Sequence, residues 1–143
     1  MVIKQLSIFV ENKMGRLAEI AKLIGDAGID LRALSVADTN DFGILRLIVD
    51  KPDDAIKVLR TAKLTVSLTD VVAVAIDDVP GSFAKVLEIL AKYQINIEYM
   101  YAFLSREEGQ AYVILRVEDS DATIQVLQES GIHVLQDFEV YTM

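Results

Sequence analysis

The chain has 143 residues, a length for one domain or two small ones. Hydrophobic residues make up 52% of it, enough for a packed core and too many for a disordered chain. With 14 Lys+Arg against 22 Asp+Glu the formal charge is −8, which opposes binding to a nucleic-acid backbone or an anionic membrane surface. There is no cysteine, so disulfides, thiolate metal sites and a cysteine nucleophile are excluded. A single histidine, His133, excludes a multi-histidine metal cluster within one chain. Met1-Val2-Ile3-Lys4 has no basic region followed by an apolar stretch, and no apolar run approaches the ~18 residues of a membrane span. These features predict a cytoplasmic globular protein.

Leu6, Ile8 and Val10 alternate with Gln5, Ser7 and Phe9 at strand spacing. A polar turn, ENKMGRL over residues 11–17, follows. Leu17, Ile20, Ala21, Ile24 and Ala27 then recur at helical spacing, with Gly28 placed to end the helix. Residues 29–37 read as a strand, 38–41 as a hairpin turn and 42–49 as a second strand. Pro52-Asp53-Asp54 opens a second helix with acids in its first turn, and Arg60 and Lys63 close it, as the helix dipole favours. Residues 64–68 are a further strand.

The same order then repeats. Residues 71–76 are a strand, Pro80-Gly81 a turn, and Phe83, Val86, Leu87 and Leu90 a helical stripe. Residues 95–104 and 111–117 are strands around a turn at 105–109. Ser120-Asp121 precedes a helix, and residues 132–140 contain the last strand. Gly15/Gly81, Ala18/Ala84 and Ile29/Ile95 align at offset 66. Ile56/Ile124, Val58/Val126, Leu59/Leu127 and Val66/Val134 align at offset 68, the longer second hairpin absorbing the difference. Each half therefore reads βαββαβ, and right-handed crossovers place both helices on one face of an antiparallel sheet. The expected fold is α+β, two ferredoxin-like units at 1–69 and 70–143. Residues 64–78 contain neither glycine nor proline, so the two units are joined without a flexible linker.

Fold alone assigns no activity. The echo of an RNA-binding strand at residues 42–46 is opposed by the net charge, and His133 between Ile132 and Val134 is read as structural or exposed. The two glycine turns are the better candidates. Each joins a strand to a helix N-terminus, which presents backbone N–H groups and positive dipole to a carboxylate. The alternative is that Asn12 and Asp78 are turn formers and the glycines supply only positive φ.

The runs ENKMGRLAEIAKLIGDAGIDL and DDVPGSFAKVLEILAKYQINI resemble the ACT domain, the regulatory module of amino-acid metabolism. The first is particularly similar to the serine-binding ACT module of phosphoglycerate dehydrogenase, and the whole chain resembles the stand-alone tandem ACT proteins. The resemblance implies units paired side by side through their second strands into one eight-stranded sheet, with an amino acid at the seam. It implies contact with Asn12, Lys13, Met14, Gly15, Arg16 and Leu17 in the first turn, and Asp78, Val79, Pro80, Gly81, Ser82 and Phe83 in the second. At the starts of the second strands it adds Asp30 and Leu31, and Asn96 and Ile97. Met14 stands where the second copy has Pro80, and Val10 where the serine-sensing relative has a histidine.

Crossing the copies would bring Asn12 to Asn96 and Asp78 to Asp30. The amide seam is then the expected general amino-acid site, and the carboxylate seam is empty, proton-dependent or selective for a cation. The implied function is a non-catalytic, amino-acid-sensing regulatory protein with no cofactor and no metal. Its partners would be a free amino acid and an enzyme of amino-acid metabolism, without nucleic acid or membrane. The competing reading is a ligand-free dimerisation scaffold. Phe9, Ile44, Ile48, Tyr112 and Ile114 share the parity of the sheet face away from the helices, which predicts a homodimer or higher oligomer to cover it.

Overall fold

The computed structural model describes residues 1–38, 41–103, 105 and 107–142. Its elements are β1 (Ile3–Glu11), α1 (Arg16–Asp26), β2 (Leu31–Asp38), β3 (Phe42–Val49), α2 (Pro52–Thr61) and β4 (Thr65–Asp77). They continue with α3 (Ser82–Lys92), β5 (Ile97–Phe103), β6 (Gln110–Val117), α4 (Ser120–Glu129), β7 (His133–Val134) and α5 (Asp137–Tyr141). The chain divides into two compact units. The first is Lys4–Thr69 with Thr142, and the second is Asp70–Tyr141 with Met1–Ile3.

The first unit has strand order β2-β3-β1-β4, and the second β5-β6-β4-β7. These are the same order, so the βαββαβ pattern is realised twice. Seven strands are present among the described residues rather than eight, because the strands expected at 64–68 and 71–76 form one uninterrupted β4. Without glycine or proline nothing in that stretch breaks the extended backbone. Parts of the hairpin turns at 38–41 and 105–109 lie outside the described residues.

Each unit buries one sheet face under its two helices. In the first, Leu6, Ile8, Val10, Leu45, Leu47 and Val49 meet Ile20 and Ile24 of α1 and Ala55 and Leu59 of α2. In the second, Val72, Val74, Val113, Leu115 and Val117 meet Val86 and Leu90 of α3 and Ile124 and Leu127 of α4. Burial of these aliphatic side chains stabilises by roughly 1.5–3 kcal/mol each before entropy is counted.

All four long helices leave by one motif. Gly28, Lys63, Gln94 and Gly131 have φ of 72°, 64°, 57° and 83°. The next residues, Ile29, Leu64, Ile95 and Ile132, donate their N–H to the carbonyls of Ile24, Leu59, Leu90 and Leu127. This is the Schellman arrangement, with an apolar pair fixing each exit. Two of the four left-handed positions, Lys63 and Gln94, are not glycine and carry no sequence signal.

One expectation is refined and one corrected. The last strand falls within 132–140 as expected but is two residues long, Val134 and His133 pairing with Val74 and Ala75, and the chain then turns into α5. The face away from the helices is also less open than parity suggests. Ile48, Tyr112 and Ile114 are buried within the single chain, leaving Phe9 and Ile44 exposed. Phe9 stacks on Phe42 with ring centroids 4.9 Å apart.

Candidate functional site

The two glycine turns have matching backbones. Asn12 N–H donates to the Asp41 carbonyl at 3.0 Å, and Asp78 N–H to the Gly109 carbonyl at 2.9 Å, which pins each turn to the hairpin tip beside it. Gly15 and Gly81 are the N-caps of α1 and α3, with φ of 84° and 90°. A Cβ at either would meet nothing within 4 Å, so glycine is required there by backbone conformation and not by close approach. A glycine N-cap has no side chain to accept a first-turn N–H. By contrast Asp119 caps α4, accepting from Ala122 N–H at 3.0 Å.

A groove lies beside each turn. The first, of about 190 Å3, is lined by Val10, Glu11, Asn12, Lys13, Leu17, Val36, Gly43 and Leu45. The second, of about 340 Å3, is lined by Ile76, Asp77, Asp78, Val79, Ser82, Phe83, Met100, Tyr101, Ala102, Ala111 and Val113. Every lining residue of the first has its repeat partner in the second, at offset 66 up to Val36/Ala102 and 68 from Gly43/Ala111 onward. The grooves are thus one site written twice. Each is bounded by the turn, the first helical turn and the far end of the second strand.

Of the expected residues, Asn12, Lys13 and Leu17 line the first groove, and Asp78, Val79, Ser82 and Phe83 the second. Met14 projects into solvent, and Arg16 turns along its helix to Glu19 at 3.1 Å. Neither they nor Gly15, Pro80 and Gly81 line a groove. Lys13 is held by Glu11 at 2.8 Å, and this hydrogen-bonded ion pair lowers the Glu11 pKa, with Arg16 adding a smaller pull.

The starts of the second strands lie elsewhere. In the first unit Glu11 faces Phe42, whereas Leu31 faces Val49, at the other end of β3. Seven residue steps at ~3.3 Å separate them by roughly 23 Å. Asp30 is engaged there: its N–H donates to Asp50 Oδ1 at 2.9 Å and its carboxylate pairs with Arg32 at 3.0 Å. Leu31 packs against the core of its unit, and Ile97 against that of the second. Asn96 lines a separate cavity of about 820 Å3 with Glu98, Arg116, Glu118 and Asp119. The amide and carboxylate seams require the second strands to pair with each other. Among the described residues β2 is bonded to β3 and β5 to β6, each with its other edge open.

Among the groove residues that sequence reasoning missed are Val36, Leu45, Met100, Ala102 and Val113. They sit at strand positions that read only as sheet, and the repeat offset, carried across the hairpins, was the one signal that could have paired them.

The family profile described as an ACT domain pair matches residues 1–143. The chain belongs to the paired ACT-domain family. The ACT pair is similar to protein BT0572 from Bacteroides thetaiotaomicron, with 43% identity and a TM-score of 0.94 over 100% of this chain and 98% of that one. It shares its fold with the ligand-free regulatory subunit of aspartate kinase from Thermus thermophilus, at 17% identity and a TM-score of 0.64 over 90% and 93% of the two chains. It is 36% identical over 76 residues to the acetolactate synthase small subunit of Aquifex aeolicus (strain VF5), a match spanning 52% of this chain and 40% of that protein. Among the described residues no cluster of side chains is suited to a metal ion, and no helix is long and apolar enough to cross a membrane.

Proposed function

We propose that this ACT pair is a regulatory protein without chemistry of its own, which binds a free amino acid beside its glycine turns. The observation that carries the reading is the duplicated groove. A polar turn, an uncapped helix N-terminus and an apolar strand end converge at each, which suits a carboxylate, an ammonium and a side chain together. A second copy of the chain, pairing at the open edge of β2 or β5, would bring the start of its own second strand over the groove. Asp30 and Asn96 then act across a homodimer seam. Output passes to a partner enzyme, a reading supported by the relative named as the small subunit of a synthase.

Thermal unfolding against a panel of the standard amino acids tests this. A ligand at 100 times its Kd adds about 2.7 kcal/mol to the folded state. A panel with no response at millimolar concentrations would refute the reading. The open strand edges would then support the second one, a scaffold that dimerises without ligand, checked by light scattering.

A further inference from the structure

We infer that the groove beside Gly81, and not its counterpart beside Gly15, takes a free amino acid with a bulky apolar side chain. This rests on the reading that the chain binds amino acids at its glycine turns, and adds which groove and which class.

The two grooves descend from one pattern but differ in capacity. The second is about 340 Å3 and the first about 190 Å3. Small-molecule sites typically begin near ~300 Å3, a range the second groove reaches and the first falls below, so the second has more room for a large side chain. Two substitutions between the repeats open the second groove, against the bulk added there by Phe83 for Leu17 and Ala111 for Gly43. Lys13, tied to Glu11 at 2.8 Å, is replaced by Val79, which has no charge to clasp. Val36 is replaced by Ala102, which withdraws two methyl groups from the strand side.

The chemistry of the second groove has three parts. Asp78 offers a carboxylate to the ligand ammonium. The N-terminus of α3, capped only by Gly81, offers N–H groups to the ligand carboxylate. Ile76, Phe83, Met100 and Val113 form an apolar wall for the side chain. A polar side chain against that wall gives up water without gaining a partner, whereas an aliphatic or aromatic one gains burial. The ranking suggested by turn chemistry alone, with Asn12 favoured over Asp78, is reversed.

Titration calorimetry on the full chain with L-leucine, L-serine and glycine tests the assignment. We expect one site per chain, with L-leucine binding about tenfold or more tighter than glycine. Ala102→Phe, at an exposed position, fills the second groove and should weaken L-leucine at least about tenfold, while Lys57→Ala, at an exposed position that lines neither groove, should change nothing. Circular dichroism checks that both variants fold. Val79→Lys, which restores the first groove's cation at another exposed position, should weaken binding in the same direction and stands in if Ala102→Phe does not fold. Tighter binding of L-serine than of L-leucine, two equal sites per chain, or unchanged binding in Ala102→Phe would overturn this inference and leave amino-acid binding in place. Absence of binding by any amino acid would overturn both.

Discussion

Replacing Lys63 by glycine should stabilise the protein, although glycine within a helix ordinarily does the opposite. Lys63 follows the C-cap of α2 with φ 64°, and Gln94 follows that of α3 with φ 57°. A residue with a Cβ pays about 1–2 kcal/mol to hold that left-handed conformation. Glycine pays nothing there, but brings about 0.5–1 kcal/mol of extra chain entropy in the unfolded state. The net gain is then roughly 0.5–1 kcal/mol for each of Lys63→Gly and Gln94→Gly. Both residues are exposed, so little packing is lost. Gly28→Ala, the same perturbation in reverse at φ 72°, should cost a similar amount. Urea unfolding of the three variants at constant slope measures each difference, and a gain of 1 kcal/mol corresponds to about 2–4 °C in Tm for a chain of this size. Destabilisation by Lys63→Gly together with no effect of Gly28→Ala would refute the left-handed exits and the shared motif with them.

Leu59→Ala and Leu127→Ala remove equivalent, fully buried side chains from the two cores, and each should cost about 2–5 kcal/mol by denaturant unfolding. Lys13→Ala removes the hydrogen-bonded ion pair that lowers the Glu11 pKa, so the Glu11 titration followed by NMR should move upward. The sign is that of a depressed carboxyl: its contribution is present above the unfolded-state pKa and fades as pH falls through the folded one. Because the pair is exposed, the effect on overall stability should be small and salt-sensitive.

Much of the architecture is local, and local features are legible in a chain. Alternation at Leu6, Ile8 and Val10 and the helical stripe at Ile20 and Ile24 name elements because side-chain direction repeats with period 2 or 3.6. The offset between Leu59 and Leu127 marks the duplication directly. The glycine turns were legible too, since a left-handed N-cap restricts residue choice whatever the rest of the fold does. The left-handed conformations of Lys63 and Gln94 were not, because the surrounding hydrogen bonds and apolar exits impose them on residues with no preference for them. The burial of Ile48 and Ile114 was equally out of reach: parity tells which face a side chain takes, but not what covers that face. The grooves depend most on tertiary structure. Val36 and Ala102 line the grooves only because a distant strand end is brought beside a turn, and the volume left there follows from side chains drawn from separate elements. No run of sequence contains that volume, which differs between two turns of matching backbone.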